Sequence, residues 1–167
     1  MQRAIAVIAA FAGCTLAGWS MSERLRRRCA ALSELIAVLE RISLEVAHTN
    51  RPVAALLEGA GGRETGAMLA SISGAIRAGA TAAEAWGERL RRGETPRALE
   101  ERERAVLTAF FAVLGTSDRF SQRRNAEAAL SSLRLCLVVA ERAYAGKGRV
   151  CRAMGLLLGA GVSILML

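Results

Sequence analysis

The sequence predicts an all-α protein in which an antiparallel helical bundle lies between hydrophobic helices at the two ends of the chain. Apolar residues make up 53% of the 167 residues and aromatic residues only 4%, and the chain has two prolines. Ala and Leu, which carry most of this hydrophobicity, are strong helix formers, whereas proline stops a helix. Apolar residues in the middle of the chain also recur every three or four positions, which is the period of a helix with one buried face.

The two ends of the chain are predicted to lie in a membrane. No charged residue occurs between Ala4 and Ser22, and about 20 helical residues cross a bilayer core of about 30 Å. Residues 1–22 are therefore predicted to form a transmembrane helix. Residues 150–167 are predicted to form a second transmembrane or membrane-inserted helix, although their uncharged run, which begins at Ala153, is short for a full crossing.

Basic residues border both hydrophobic segments on the side of the middle of the chain. They are Arg24, Arg26, Arg27 and Arg28 after the first segment, and Lys147, Arg149 and Arg152 around the start of the second. Loops on the cytoplasmic side of a membrane are enriched in Lys and Arg. Residues 23–149 are therefore predicted to form a cytosolic helical bundle. A cleaved secretory or lipoprotein signal ending near Cys14 is the alternative for the N-terminus, but arginines directly after the apolar run oppose export.

The middle of the chain divides into helices of unequal length. A helix that continues from the first membrane segment places Leu25, Cys29, Leu32, Ile36, Leu39 and Val46 on one face. Short helices are predicted over 52–58, 65–78 and 81–92. Thr95 and Pro96 are predicted to cap and open a long helix that runs from Arg97 to Gly115. The last helix begins near Asp118, and its predicted inward face consists of Ala126, Leu130, Leu133, Leu137, Ala140 and Tyr144.

No residue pattern indicates catalysis, a cofactor or a metal site. The sequence has no glycine-rich phosphate-binding motif, and its single histidine, His48, has no partner at metal-ligand spacing. The four cysteines include no C-x-x-C pair, which favours reduced thiols. Glu100, Glu101 and Glu103 alternate with arginines and are expected on a solvated face with ion pairs. The sequence therefore predicts a protein that is not an enzyme.

The segment Leu114–Gln122 is predicted to be a corner between two helices. Gly115 would end the first helix, and Ser117 or Asp118 would cap the second, with Gln122 in its first turn. The alternative is that this corner faces a partner protein. In that case the surface arginines Arg119, Arg123 and Arg124 are the candidate contacts.

Several of these features together resemble the stage III sporulation protein AB family of endospore-forming bacteria, and the resemblance covers essentially the whole chain. It rests on the apolar start that ends in Leu16-Ala17-Gly18, Glu45 before the Pro52 helix, Ala83-x-x-Trp86, the corner LGTSDRFSQ, Lys147-Gly148-Arg149, and the closing segment with Leu156, Gly159, Ile164 and Leu167. One departure is Ala47-His48, where the family is expected to have an aromatic residue.

The resemblance implies a function that composition and spacing do not reach. Members of this family are mother-cell proteins of the channel apparatus between mother cell and forespore. Their cytosolic domain is similar to the helical domain of the type II secretion platform (F-type) protein. The resemblance thus implies a membrane scaffold at the outer forespore membrane that docks a secretion-type ATPase, stage III sporulation protein AA. It also suggests other stage III sporulation proteins as partners, and a homo-oligomer.

The net charge of +8 supports a different hypothesis, a membrane-associated helical protein that binds anionic lipid or nucleic acid. Aromatic residues that stack on bases are scarce, and no zinc-finger or RNA-recognition pattern is present. Nucleic acid is therefore the less expected of the two ligands.

Overall fold

In the computed structural model, helices form every regular element of the described residues, which are 2–48, 52–116, 119–148 and the single positions 150, 153 and 157. The elements are α1 (Gln2–His48), α2 (Val53–Leu57), α3 (Gly66–Arg77), α4 (Ala82–Arg91), α5 (Glu101–Val113), α6 (Arg119–Ala143) and a short π-helix (Tyr144–Gly148). The predicted all-α class is confirmed, and the packing of these helices is consistent with a bundle.

The chain forms two compact units. Cys29–Val138 make up the central unit, and Met1–Arg28 with Val139–Leu167 make up the terminal unit. Within the described part of the chain, no helix combines the length and the apolar character that crossing a bilayer requires. The side chains of residues 1–12 and most of the segment 150–167 lie outside the described residues, so both membrane segments stay predictions.

The core of the central unit is built from the apolar faces that the helical period predicts. Its most deeply buried large residues are Leu32, Leu35, Leu39 and Ile42 of α1, Leu57 of α2, Leu69 and Ile72 of α3, Trp86 of α4, Leu107, Phe110 and Phe111 of α5, and Leu133 of α6. Leu25, Cys29, Val106 and Leu137 are only half-buried, because they lie at the edges of their faces. The core helices are therefore held mainly by burial of aliphatic and aromatic side chains.

An aromatic cluster joins α4 to α5. The rings of Trp86 and Phe111 stack with centroids 5.2 Å apart, and Phe110 meets Phe111 edge-on at 5.3 Å. The indole N–H of Trp86 donates to the hydroxyl of Thr108 at 2.8 Å, which satisfies the polar atom of this buried side chain. Trp86 of the Ala83-x-x-Trp86 pattern is thus a packing residue.

Four helices end at a glycine with positive φ, which other residues rarely adopt. Gly59, Gly79, Gly93 and Gly115 follow α2, α3, α4 and α5. At the other ends, Thr81 caps α4 in a reciprocal box with Glu84. Pro52 is the cap residue of α2, because its carbonyl accepts from Ala55 at 2.9 Å.

The predicted start of the fifth helix was wrong. Thr95 and Pro96 do not open it; Leu99 N–H donates to Pro96 in a turn, and α5 begins at Glu101. The carboxylate of Glu103 accepts from the backbone N–H of Glu100, and this bond fixes the first turn. Glu103 is fully buried rather than solvated, so the predicted exposed ion-pair face does not include it.

The half-buried carboxylate of Glu34 holds the loop between α2 and α3 against α1. Glu34 accepts from the N–H groups of Glu64 and Thr65 at 3.1 Å and 2.9 Å, and from the Thr65 hydroxyl at 2.7 Å. Burial raises the pKa of Glu34, but the hydrogen bonds from Thr65, Glu64 and Gly62 outweigh it and leave the pKa below its ordinary value. Thr65, the residue before α3, is buried in this contact.

Candidate partner-binding site

The corner between α5 and α6 is formed by backbone turns around Gly115. Leu114 ends α5 in an extended conformation, with its N–H donating to Phe110 at 3.2 Å, and Gly115 follows with φ of 85°. Thr116 N–H then donates to Val113 at 3.3 Å. Gly115, the predicted helix stop, thus lies two residues after the last residue of α5, whereas Ser117 and Asp118 lie outside the described residues.

Asn125 ties the first turns of α6 to the end of α5. Its side-chain amide donates to the carbonyl of Phe110 at 3.0 Å. The same carbonyl also accepts from the Leu114 N–H, so Asn125 supplies a second hydrogen bond to the end of α5. Asn125 was not predicted from the sequence, although a polar side chain one position before the buried Ala126 was the available signal. Gln122 of the corner is half-buried on the same helix.

The three arginines predicted as contacts differ in their surroundings. Arg123 pairs with Glu127 at 2.8 Å, so its charge is largely compensated on the same helix. Arg124 lies over the ring of Phe120, with its guanidinium carbon 4.7 Å from the ring centroid. Arg119 begins α6, and its side chain lies outside the described residues.

Phe120 is the residue of the corner that the sequence analysis missed. Its side chain is 69% exposed, although water around so large an apolar surface is unfavourable. Exposed aromatic and arginine side chains in contact are the residue types enriched at the centres of protein interfaces. Phe120 and Arg124, the corner pair, are therefore the best candidates for a partner contact at this corner.

A cleft of about 250 Å³ lies beside the corner. It is lined by Val53, Ile76, Ala80, Thr81, Ala82, Leu114, Gly115 and Thr116. A Cβ added at Gly115 would lie 3.6 Å from a methyl group of Val53, an ordinary contact distance. Glycine is therefore required here by the positive φ and not by lack of space.

The arginine cluster that follows the N-terminal apolar run has an acidic neighbour, Glu23, which was not part of the prediction. Glu23 accepts from Arg26 at 2.7 Å and from Arg27 at 3.2 Å. The hydrogen bonds to Arg26 and then to Arg27 lower the pKa of Glu23 to about 2. Arg24 is exposed and Arg28 is buried. At the other end, Lys147 belongs to the π-helix, and Arg149 and Arg152 lie outside the described residues.

Apolar side chains directly before this cluster are exposed. Leu16 is 60% exposed and Trp19 65%, and Met21 is exposed as well. Leu16, Trp19, Ser20, Glu23 and Arg27 line one groove, in the order apolar, aromatic, polar and charged along α1. This order is typical of a helix at the boundary between lipid and water, where tryptophan is enriched.

The described residues contain no group of three or more His, Cys, Asp or Glu side chains that could hold a metal ion. Cys136 is buried and Cys29 half-buried, and neither forms a disulfide within the described part of the chain. Several described arginines form ion pairs with glutamates. The pairs include Arg41 with Glu45, Arg89 with Glu94, Arg92 with Glu88 and Arg134 with Glu40. The basic residues are therefore interspersed with acidic partners.

Comparison with known proteins decides the family. The profile described as stage III sporulation protein AB matches residues 3–167. The chain belongs to that family. Membership of the stage III sporulation protein AB family supports a role in the sporulation apparatus. No curated protein sequence matches the chain.

A solved structure titled "Stage III sporulation protein AB (SpoIIIAB)" shares the fold of this chain. The two superpose with a TM-score of 0.64 at 23% sequence identity, over 71% of this chain and 97% of the other. The corner and Trp86, two landmarks of the resemblance to the family, belong to the packed central unit. The closing segment with Leu156, Gly159, Ile164 and Leu167 lies outside the described residues.

Proposed function

We propose that this protein is a membrane-anchored scaffold of the sporulation apparatus that docks a secretion-type ATPase at the membrane. The observation that carries the proposal is that the two halves of α1 differ in how they expose apolar residues. Its first half exposes Leu16, Trp19 and Met21, and its second half buries Leu35 and Leu39 in the core. This pattern fits a helix whose first residues lie in lipid and whose later residues belong to a folded body.

The proposal places the protein at the outer forespore membrane, with the central unit in the mother-cell cytoplasm. Exposed Arg24 beyond the apolar run supports this orientation, since cytoplasmic flanks are rich in arginine. The ion pairs of Glu23 reduce the net charge of the cluster, but four arginines against one glutamate still leave it positive. Other stage III sporulation proteins and further copies of this chain are proposed neighbours.

The proposed partner is the ATPase stage III sporulation protein AA, and its proposed contact is the corner pair Phe120 and Arg124. The exposed ring offers apolar area, and the guanidinium offers a charge for an acidic patch on the ATPase. No catalytic role is proposed for the chain itself. Binding to nucleic acid is not favoured, because several described arginines pair with glutamates.

The test is retention of the purified ATPase by the full chain in detergent micelles. We expect the wild-type chain to retain the ATPase, and Arg124→Glu to weaken retention about tenfold, with the loss reduced at high salt because the contact is ionic. Arg91→Glu is the matched control, since Arg91 is an exposed helical arginine elsewhere on the central unit. It should behave as wild type. Failure of the wild-type chain to retain the ATPase would overturn the proposal.

A further inference from the structure

A groove between α4 and α5 is separate from the corner and is not used by the function described above. We propose that this groove binds an amphipathic helix of a partner protein and that a carboxylate of that helix lies against Arg104. The inference rests on the proposed function in taking the ATPase as the protein that supplies the helix. It adds a second contact surface and the chemistry of its ligand.

The groove has a volume of about 680 Å³ and is mainly apolar. Leu90, at the end of α4, forms one wall and is 39% exposed. Ala105, Thr108, Ala109 and Ala112 line the other wall, together with Glu101 and Arg104 at one end. The alanines lie on one face of α5, because their spacings of four and three residues follow the helical period.

The shape of this groove suits a helix. Side chains as small as alanine let a second helix approach closely, and interaxial distances of about 8–10 Å are typical of packed helices. Glu101 to Ala112 spans about 16 Å at 1.5 Å per residue, which is three helical turns. The floor is preformed, since Thr108 accepts from the buried Trp86 and donates to the carbonyl of Arg104 at 2.8 Å. A preformed floor lowers the entropic cost of binding.

Charge at one end of the groove specifies the ligand further. Arg104 is held in place by donating to the carbonyl of Leu99 at 2.8 Å. None of the ion pairs of the described residues includes Arg104, although Glu101 lines the same end of the groove, and the buried Nε of Arg104 has no hydrogen-bond partner among those residues. A guanidinium fixed beside an apolar groove attracts a carboxylate and binds it strongly when water is excluded. The partner helix is therefore expected to carry Asp or Glu opposite Arg104 and apolar residues opposite the alanines.

The experiment uses the full chain in detergent micelles and two designed helical peptides as probes. Both peptides carry apolar residues at positions i, i+3, i+4 and i+7; one has glutamate flanking this face and the other lysine. We expect the glutamate peptide to bind at least about fivefold more tightly. Ala109→Arg, which fills the groove and replaces an exposed alanine with another good helix former, should abolish binding. Ala70→Arg on the exposed face of α3 is the control and should have no effect.

A second measurement uses the purified ATPase and a photo-crosslinking residue at position 109. We expect a crosslink to a helical segment of the ATPase that contains a carboxylate. Retention of the ATPase without this crosslink, or a crosslink to a second copy of the chain, would overturn the groove inference and leave the proposed function standing. If the ATPase is not retained at all, the proposed function fails, and the peptides decide the inference: equal affinity for both peptides, or binding unchanged in Ala109→Arg, would overturn it.

Discussion

The apolar side chains that the structure describes in the two halves of α1 differ in burial. In the second half, Leu32, Leu35 and Leu39 are almost completely buried in the central unit, whereas Leu16 and Trp19 in the first half are mostly exposed. Burial in the central unit stabilises the fold by about 25 cal/mol per Å² of apolar surface. Apolar side chains that stay exposed to water do not add this stabilisation. The comparison teaches that one helix can pack into a core along one half and leave large apolar side chains exposed along the other.

The carboxylates of the two halves differ in the same way. Among the described residues, Glu23 bonds to Arg26 and Arg27 on its own helix. Glu34 instead bonds to residues 30 and 31 positions away, in the loop before α3. Bonds of the first kind can form in an isolated helix, whereas those of the second kind exist only in the folded central unit. Substitutions in the two halves should therefore affect different properties.

The largest expected effect is on the core. Leu133 of α6 is fully buried, and Leu133→Asp should cost on the order of 3–5 kcal/mol, because it leaves an unpaired charge in an apolar site. That is a large part of the stability of a typical domain. Thermal unfolding followed by circular dichroism measures the loss.

Leu135→Asp is the matched control, since Leu135 lies two residues away on α6 and is 62% exposed. It should change the melting temperature little. Leu137, which is also on the predicted inward face, is only half-buried, so Leu137→Asp should give an intermediate loss. Equal destabilisation by Leu133→Asp and Leu135→Asp would show that this face of α6 is not the core face.

The next effect is on membrane attachment. The double substitution of Leu16 and Trp19 by Asp should reduce the membrane-bound fraction about tenfold, because each aspartate within a membrane helix costs up to about 3 kcal/mol. The melting temperature of the central unit should not change. Fractionation of cells expressing the full chain measures attachment, and circular dichroism measures stability.

Leu44→Asp is the control for attachment, because Leu44 is on α1 and 65% exposed but belongs to the central unit. It should leave the membrane-bound fraction as in wild type. A double variant that stays in the membrane fraction would contradict the assignment of the first half of α1 to lipid.

Much of the fold could be predicted from the sequence, because its signals are local. The 4,3 spacing of apolar residues gave the buried faces of α1 and α6, and glycines marked the ends of α2 to α5. The start of α5 was missed because Thr95-Pro96 has the residue types of a helix start, but the bond between Glu100 and Glu103 prevails four residues later.

The candidate sites were less predictable, because they depend on tertiary contacts. The corner was recognised from Gly115, yet Phe120 was not, since nothing in one sequence says whether a phenylalanine is buried. The groove has no sequence signal either: alanine occurs on buried and exposed faces alike, and its exposure along α5 follows from how α4 packs. Glu34 was missed because its partners are about 30 residues away.

The loop that Glu34 holds should tolerate no added methyl group. A Cβ at Gly62 would lie 2.5 Å from a carboxylate oxygen of Glu34, so Gly62→Ala must displace that carboxylate from its hydrogen bonds. We expect a loss of about 1–3 kcal/mol in the free energy of unfolding. Gly74→Ala, in the middle of α3 with open space around it, should instead stabilise by about 0.5–1 kcal/mol. Denaturant unfolding of both variants measures this difference in sign, and equal effects would contradict it.

The smallest effect is the pH dependence of stability, which compares the two carboxylates directly. The pKa of Glu34 is lowered in the folded chain, so the unfolded chain binds the proton more readily. The contribution of Glu34 to stability is therefore present above the ordinary pKa of 4.5 and is lost as the pH falls through the folded value.

Glu34→Gln should lower the free energy of unfolding near pH 7 by on the order of 1 kcal/mol, and the melting temperature should fall with it. The variant should also lose less stability than wild type as the pH falls. Glu23→Gln should leave the unfolding of the central unit unchanged, since the bonds that lower the pKa of Glu23 to about 2 join it to Arg26 and Arg27 of the same helix. Melting curves from neutral to acidic pH measure both variants. Identical profiles would show that Glu34, like Glu23, acts only within α1, and that other contacts hold the loop in place.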